Sequence, residues 1–317
     1  MAFPGSKKTQ LKTAGRRKLV GIPEREILTL CDKHFYPSGG VEDYNPVLSP
    51  EPGLVTKETA VASIGSCFAR ELKEWLVENQ YNYLQAETGE STQSGSARYG
   101  EVYNTACLLQ IFRAAYGEFN PEERWWPYKG RLFDPYRKGV TWKDEQEAET
   151  ELRAHAQAVA RIVTEADVLV CTAGLSEVWR NRDDGSTFFQ VPPKEIFDPE
   201  RHEFVLTTVE ENTQNLEQLY ALLQKHNPKL RLIVTLSPVP LRATFQKEMT
   251  CVQADTISKS ILRVAIANLC RNHPEIVYFP AYELITRLTR RPFKKDNRHV
   301  ERRAVGRIMK TFVENFG

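Results

Sequence analysis

The sequence predicts an α/β fold: a three-layer α/β/α sandwich whose sheet is mostly parallel and carries loop insertions. Short apolar runs alternate with longer segments of helical spacing along the 317 residues, as in proteins built from βαβ units. The apolar runs also end at small or turn-forming residues, as at Gly65-Ser66. Helical connections make neighbouring strands parallel, so we expect a ligand to bind beyond the carboxyl ends of these strands.

Each element follows from its own stretch of sequence. Five apolar runs are predicted as strands, and they are Val61–Gly65, Tyr81–Gln85, Val168–Thr172, Leu230–Leu236 and Ile276–Phe279. Six segments with apolar residues three and four apart are predicted as helices, namely Ala69–Asn79, Asn104–Ala115, Glu145–Glu165, Val209–His226, Asp255–His273 and Val300–Phe316. Residues 117–143 show no clear period and are predicted as a structured insertion. Residues 181–208 are predicted as a hairpin or loop insertion with a tight turn at Asp184-Gly185. Residues 1–57, rich in proline, glycine and charge, are predicted as an irregular extension, and residues 58–317 as a single domain.

The composition is that of a globular protein, with 41% hydrophobic residues and a formal net charge of +2. A charge this close to zero gives no global field that would favour nucleic acid as a partner. No apolar run approaches the roughly 18 residues of a membrane span, and no apolar stretch of signal-peptide length follows the basic amino-terminal residues. We therefore expect a cytoplasmic protein without a membrane span, and the oligomeric state is not predicted.

The cysteines and histidines show no metal-binding pattern. The six cysteines stand singly, at positions 31, 67, 107, 171, 251 and 270. They form no C-x-x-C pair, and the histidines show no H-E-x-x-H spacing, so we expect neither a disulfide framework nor a metal site. The phosphate-binding patterns G-x-G-x-x-G and G-x-x-x-x-G-K are also absent from the sequence, and we expect no cofactor.

Ser66 is the candidate nucleophile. It lies between a predicted strand and a predicted helix, where backbone N–H groups and the positive end of the helix converge. Enzymes place a nucleophile at such a turn when the reaction produces an oxyanion. The alternative is that Ser66 only caps the helix, which is a common position for serine.

Asp296 and His299 are the candidate partners of this nucleophile. They lie three residues apart on a turn before the last predicted helix, so the carboxylate can orient the imidazole by a hydrogen bond. An imidazole held in this way can take a proton from a hydroxyl on another strand. The alternative is that His299 is an ordinary surface or capping histidine.

Seven segments of the chain together resemble one protein family. Gly65-Ser66-Cys67-Phe68-Ala69 spells the signature of the GSCFA family, which resembles the SGNH/GDSL hydrolase superfamily. The other matching segments follow in the expected order, and they are Tyr99–Thr105, Phe133–Arg137, Thr172–Trp179, Ser237–Leu241, Tyr278–Glu283 and the pair of Asp296 and His299. The resemblance covers roughly residues 58–315 and implies the flavodoxin-like arrangement of SGNH enzymes. It implies a serine esterase or O-acyltransferase with Ser66 as nucleophile, His299 as general base and Asp296 as the group that fixes the imidazole tautomer.

The resemblance also implies three donors for the oxyanion. The first is the backbone at Ser66 or Cys67, and the second is the amide of Gly100. The third donor is usually an asparagine of the block that matches Thr172–Trp179 here, but this chain has Ser176 in its place. Either Ser176 or Asn104 supplies that donor, and Glu177 belongs to the site or is a buried anchor paired with an arginine.

Two other functions remain open at this stage. Cys67 adjoins Ser66 and is the alternative nucleophile for the same histidine, and a non-catalytic module that binds a glycan or a nucleotide is the second alternative. The expected partner is a small-molecule or glycan ester, or an ester of a lipid-linked acceptor. Basic residues surround the turn of Asp296 and His299, and they favour an anionic substrate if they line the site: Arg290, Arg291, Lys294, Lys295, Arg298, Arg302 and Arg303.

Overall fold

The structure is a computed structural model that describes residues 32–34, 36–37, 41, 44–89 and 95–317, with backbone only for Asp32 and Cys67. The described residues include ten strands and seven α-helices. The strands are β1 (Val61–Gly65), β2 (Trp126–Tyr128), β3 (Arg131–Phe133), β4 (Thr141–Trp142), β5 (Val168–Ala173), β6 (Glu177–Asn181), β7 (Thr187–Phe188), β8 (His202–Leu206), β9 (Arg231–Leu236) and β10 (Val277–Phe279). The helices are α1 (Cys67–Glu78), α2 (Thr105–Ala115), α3 (Glu145–Glu165), α4 (Val209–His226), α5 (Cys251–Asn272), α6 (Ala281–Thr286) and α7 (Arg302–Phe316).

A parallel sheet in the spatial order β1-β5-β9-β10 forms the centre of the protein. Beyond β1, a single parallel bridge joins Val61 to Tyr83, so the Tyr83 segment occupies the place of a fifth strand. With that segment included, the strand order is the flavodoxin-like 2-1-3-4-5. The full strand predicted at Tyr81–Gln85 is wrong, because another segment shares this edge of β1: the Ser96 N–H donates to the Ser63 carbonyl at 2.9 Å.

Helices cover both faces of the sheet, which confirms the three-layer sandwich. Alternate strand residues point to opposite faces, so Ile64 and Cys171 are buried in one core, and Val61 and Val170 in the other. Helices α2 to α5 pack on the first face, and α1, α6 and α7 pack on the second. The carboxyl ends of the strands are left at the edge between these layers.

Short polar side chains determine where several helices begin. The side chains of Asn104, Asp144 and Thr208 each accept a hydrogen bond from the backbone N–H three residues later. Thr250 and Gln253 form a reciprocal capping box at the start of α5. Helices α3 and α4 accordingly begin and end where the sequence predicts.

The two predicted insertions form small antiparallel sheets. Strands β2, β3 and β4 form one between α2 and α3, and strands in the order β7-β6-β8 form the other between β5 and α4. Buried Arg137 fixes the first insertion, because its guanidinium donates to Asp134 and, through two hydrogen bonds, to Glu151 of α3. These bonds also fix the position of the next residue, Lys138.

The described part of the predicted amino-terminal extension packs against α7. Val47 and Val55 are buried in the second core, and the Val55 N–H donates to the Phe316 carbonyl at 2.7 Å. Much of residues 1–57, including 1–31, lies outside the described residues, so the division into an extension and a domain stays a prediction. Over the ranges that the structure describes, every helix is too short or too polar to cross a membrane. The cytoplasmic location stays a prediction.

Candidate active site

The carboxyl ends of three parallel strands meet at a cavity of about 410 Å³. Ser66 follows β1, Gly174 and Leu175 follow β5, and Ser237 follows β9, and all four residues line this cavity. The segments before α2, β4 and α7 and the loop after β9 supply the rest of its wall. We call it the Ser66 cavity.

Ser66 follows a position that requires glycine. The φ angle of Gly65 is +150°, and a Cβ at this position would lie 2.5 Å from the carbonyl oxygen of Thr172 in the neighbouring strand. The chain can therefore leave β1 abruptly and begin α1 directly after Ser66. The Ser66 side chain is buried, and its hydroxyl has no hydrogen-bond partner among the described residues. It accepts no bond from a helix amide either, so the alternative that Ser66 only caps α1 is wrong.

Asp296 holds His299 in the turn before α7. The Nδ1–H of His299 donates to the Asp296 carboxylate at 2.5 Å, and the other carboxylate oxygen accepts from the backbone N–H groups of Arg298 and His299 at 3.0 Å. The bond from the imidazole, and then the two backbone bonds, hold the pKa of Asp296 well below its ordinary value. The ionised carboxylate keeps the imidazole proton on Nδ1 and leaves Nε2 free to accept one.

Ser66 and His299 line the same cavity although they come from opposite ends of the sequence. The hydrogen bond between Asp296 and His299 is formed in this structure. The Ser66–His299 hydrogen bond is not formed, because the serine hydroxyl has no partner among the described residues. Catalytic hydrogen bonds are often long without substrate and shorten when it binds. The imidazole is 46% exposed, so an incoming molecule can reach it.

Positive charge predominates on the wall of the Ser66 cavity. Its described lining holds Lys138, Arg242 and Arg298 against one carboxylate, that of Glu101. Burial acts to raise the pKa of Glu101, but hydrogen bonds of 2.7 Å from Lys138 and from the Tyr103 hydroxyl outweigh it, and the pKa is lowered. Glu101 therefore balances Lys138, and two guanidinium groups are left to attract an anion.

A buried lysine ties the elements of the cavity together from behind. Lys259 of α5 is 2% exposed, and its Nζ donates to the carbonyls of Gly174 at 2.7 Å, Ser237 at 2.9 Å and Val239 at 2.8 Å. These carbonyls follow β5 and β9, so one ammonium group joins two strand ends and the loop beside them. Bonds from a charged donor are stronger than neutral ones, and Lys259 is therefore a positioning residue for the cavity wall.

The comparison with protein families decides where this chain belongs. The model of the GSCFA family matches residues 60–312. The chain belongs to the GSCFA family. No curated protein sequence matches this GSCFA chain.

Two solved structures that match this GSCFA chain resemble it only distantly. It is similar to a carbohydrate esterase of family 3 from Talaromyces cellulolyticus and to an acetyl esterase mutant crystallised with an acetate ion. In both cases the identity is 9%, the match covers 81% of this chain and 95% of the other, and the TM-score is 0.40. A likeness of this degree carries no functional argument, so the function has to follow from the geometry of the chain itself.

Two residues of the family segment Thr172–Trp179 do not line the Ser66 cavity. Ser176 is fully buried, and its hydroxyl bonds to the Ser258 hydroxyl of α5 at 3.0 Å. This contradicts the prediction of Ser176 as an oxyanion donor, because the hydroxyl is engaged between β5 and α5. Glu177 anchors the loop after β9 by accepting hydrogen bonds of 2.7 Å from Thr244 and Gln246. The alternative of an arginine partner for Glu177 is wrong for the described part of the chain, where no arginine pairs with it.

The other predicted oxyanion residues are placed differently. Asn104 is engaged as the cap of α2, where its Oδ1 accepts from the Cys107 N–H at 2.8 Å, and it does not line the Ser66 cavity. Gly100 adopts a φ of +67° and packs so closely on Lys138 that a Cβ would lie 2.9 Å from the lysine Cβ. Its role as a donor stays a prediction. The side chain of Cys67 lies outside the described residues.

Sequence reasoning missed Lys138, Arg242 and Lys259. The available signal for Lys138 was its place directly after the family-block residue Arg137, whose ion pairs position it. Lys259 gave no signal, because a lysine within an amphipathic helix ordinarily faces solvent. The described residues bring no three His, Cys, Asp or Glu side chains into a metal-binding group.

Proposed function

We propose that this protein is a serine-dependent acyl-ester hydrolase or O-acyltransferase that works through an acyl-Ser66 intermediate. One observation carries the proposal: a buried, unpartnered Ser66 hydroxyl shares a cavity with a histidine that Asp296 orients. A buried hydroxyl without a hydrogen bond costs about 1–3 kcal/mol. A native structure that keeps such a group calls for a specific explanation, and a nucleophile waiting for its substrate supplies one.

Acylation of Ser66 is the first step of the proposed reaction. The Ser66 Oγ attacks the carbonyl carbon of the ester while Nε2 of His299 takes the hydroxyl proton. The new Oγ–C bond produces a tetrahedral oxyanion. The C–O bond to the alcohol then breaks, and His299 gives its proton to the leaving oxygen. Asp296 stays ionised throughout and stabilises the imidazolium.

Deacylation completes the cycle. Water or the hydroxyl of an acceptor attacks the acyl carbon while His299 takes its proton, and that proton then passes to the Ser66 Oγ as the acyl bond breaks. Water yields a carboxylic acid, which is hydrolysis, whereas an acceptor hydroxyl yields a new ester, which is acyl transfer. Both outcomes use the same residues.

The amino terminus of α1 is proposed to stabilise the oxyanion. The first N–H groups of a helix have no acceptor within the helix, and its dipole is positive at this end. Ser66 directly precedes α1, so the oxyanion forms beside these groups. Loss of one oxyanion donor costs about 3 kcal/mol in the transition state. The positively charged side chains of the cavity wall also stabilise the oxyanion, in a chain that lacks the usual asparagine donor.

The charge of the cavity supports an anionic alcohol portion of the substrate. Arg242 and Arg298 line the Ser66 cavity, and Glu101 is already neutralised by Lys138. We propose a carbohydrate or lipid-linked ester whose alcohol portion carries a phosphate or carboxylate group. Guanidinium groups bind both anions through paired hydrogen bonds.

Aryl-ester turnover and fluorophosphonate labelling test the proposed chemistry. The wild type and Cys67→Ala should be labelled and active, whereas Ser66→Ala should be neither. His299→Ala should be almost as inactive as Ser66→Ala, because the two residues act as a unit. Labelling that persists in Ser66→Ala and is lost in Cys67→Ala would instead make Cys67 the nucleophile. If no ester is turned over and Ser66→Ala still binds a glycan or nucleotide, the protein is a binding module.

A further inference from the structure

A second cavity, of about 140 Å³, adjoins the Ser66 cavity and has mainly apolar walls. We call it the aromatic cavity, and its principal lining residues are Val178, Trp179, Phe188, Phe189, Phe204 and Phe245. Two of its polar lining residues are already engaged, since Asn104 caps α2 and Glu177 binds the loop after β9. An apolar group therefore fits this cavity better than a polar one.

The β7-β6-β8 insertion builds the aromatic wall. Trp179 of β6 lies directly opposite Phe188 of β7 and Phe204 of β8. Residues directly opposite in a sheet lie on the same face, so the three rings form a row. Phe245, from the loop after β9, meets the Trp179 ring edge-on at a centroid distance of 5.0 Å. The row and this loop together enclose an apolar space.

The aromatic cavity borders the Ser66 cavity. Tyr103, Leu175, Leu241 and Ala243 line both. Leu175 follows the strand end that lies beside Ser66, and the Tyr103 ring stacks on Phe189 at a centroid distance of 5.9 Å. The aromatic cavity is therefore an apolar space directly beside a molecule held at Ser66.

The position of His299 assigns the two halves of an ester to the two cavities. The general acid has to lie beside the leaving oxygen, so the alcohol portion lies on the side of His299. His299 and Arg298 line the Ser66 cavity and are absent from the described lining of the aromatic cavity. The acyl portion then lies on the opposite side of the reacting carbon, toward Leu175 and the aromatic rings.

We infer that the aromatic cavity binds the acyl chain of the substrate, and that this chain has about six carbons. The inference rests on the proposed ester chemistry at Ser66. An apolar cavity of about 150 Å³ holds a benzene molecule, so a cavity of about 140 Å³ suits roughly six carbons. The protein therefore prefers a medium-chain acyl ester to an acetyl ester.

A series of p-nitrophenyl esters tests this preference, because the leaving group stays constant while the acyl chain grows. From acetate through butyrate to hexanoate, kcat/KM should rise about fourfold for each CH₂ group that leaves water. It should level off or fall at decanoate, since the cavity is then full. All esters are measured on the full-length protein at one pH.

Two phenylalanine variants distinguish the loss of a cavity wall from a general disturbance of the Trp179 ring. Phe245 lines the aromatic cavity and is 47% exposed. Phe197 is similarly exposed, at 40%, and meets the same Trp179 ring at a centroid distance of 5.5 Å, but it does not line the aromatic cavity. Phe245→Ala should lower kcat/KM for hexanoate about tenfold and change that for acetate by less than about twofold. Phe197→Ala should leave both values unchanged.

The outcomes distinguish failure of this inference from failure of the proposed function. Turnover of acetate as efficient as that of hexanoate would overturn the acyl-chain assignment alone. Equal losses for all esters in the Phe245→Ala and Phe197→Ala variants would also overturn it. If the wild type turns over no ester and Ser66 takes no fluorophosphonate, the proposed function fails, and the acyl-chain assignment fails with it.

Discussion

Gly65→Ala should destabilise the protein severely, because this residue starts the turn that carries Ser66. The φ angle of +150° is strained for alanine, at a cost of about 1–3 kcal/mol. The new Cβ would also lie 2.5 Å from the Thr172 carbonyl oxygen and 2.6 Å from the Thr172 Cβ. Thr172 is paired with Gly65 in the central sheet and cannot retreat without breaking that pairing, so the overlap adds about 1–3 kcal/mol. The free energy of unfolding should fall by roughly 2–6 kcal/mol, against a typical total of about 5–15 kcal/mol.

Urea unfolding followed by circular dichroism measures this loss. Gly117→Ala is the matched control, since Gly117 has a φ of +72° and an alanine Cβ at that position would meet nothing within 4 Å. That control should cost only the strain of the left-handed backbone, about 1–2 kcal/mol. Equal stability losses in the two variants would refute the argument from the close approach of β1 and β5. In any Gly65→Ala protein that folds, turnover of aryl esters should also fall, because Ser66 is displaced.

Three further predictions concern charged and thiol groups. Because the pKa of Asp296 is held well below its ordinary value, its carboxylate stays ionised above about pH 5. The contribution of this charge to the stability of the fold is lost only as the pH falls toward that lowered pKa. Asp296→Asn should lower kcat about 100- to 10,000-fold. Any fall of kcat/KM toward acid pH should remain in this variant, because Asp296 is ionised over that range. Disappearance of that fall would contradict the role of Asp296 as an ionised partner of His299. Lys259→Met should reduce the free energy of unfolding by about 3–5 kcal/mol, because the carbonyls of Gly174, Ser237 and Val239 lose a buried charged donor. The exposed Lys310→Met should change it by less than about 0.5 kcal/mol, and equal effects in urea titrations would be contrary to the positioning role. Burial raises the pKa of the Cys107 and Cys171 thiols to about 12. Iodoacetamide should therefore leave both thiols unmodified in the native protein at about pH 8 and modify them after unfolding, and labelling of the native protein seen by mass spectrometry would disprove this.

The fold could be predicted where the periodicity of the sequence is long and regular. Helices α3 and α4 are predicted with their observed bounds, because polar caps mark their starts. Helix α6 is absent from the sequence prediction, since its six residues are too few to show a helical period. The strand predicted at Tyr81–Gln85 fails because the edge of β1 is shared with Ser96, which is distant in sequence.

The candidate site could be predicted only in part. The alternation of strands and helices predicts a ligand site beyond the carboxyl ends of the strands, and the structure places Ser66, Gly174 and Ser237 around one cavity at these ends. Which way a side chain turns depends on partners far along the chain. Ser176 turns to Ser258, 82 residues later, and no local pattern reveals that contact. The arginine predicted for Glu177 fails for the same reason.

Covalent capture of the acyl group tests the central claim most directly. The wild type is mixed with p-nitrophenyl hexanoate, quenched in acid within seconds and examined by intact-mass and peptide mass spectrometry. One hexanoyl group should be added to the peptide that contains Ser66, it should survive neutral hydroxylamine as an oxygen ester does, and it should be absent from Ser66→Ala. A hexanoyl group that neutral hydroxylamine removes, or that persists in Ser66→Ala, would contradict catalysis by Ser66.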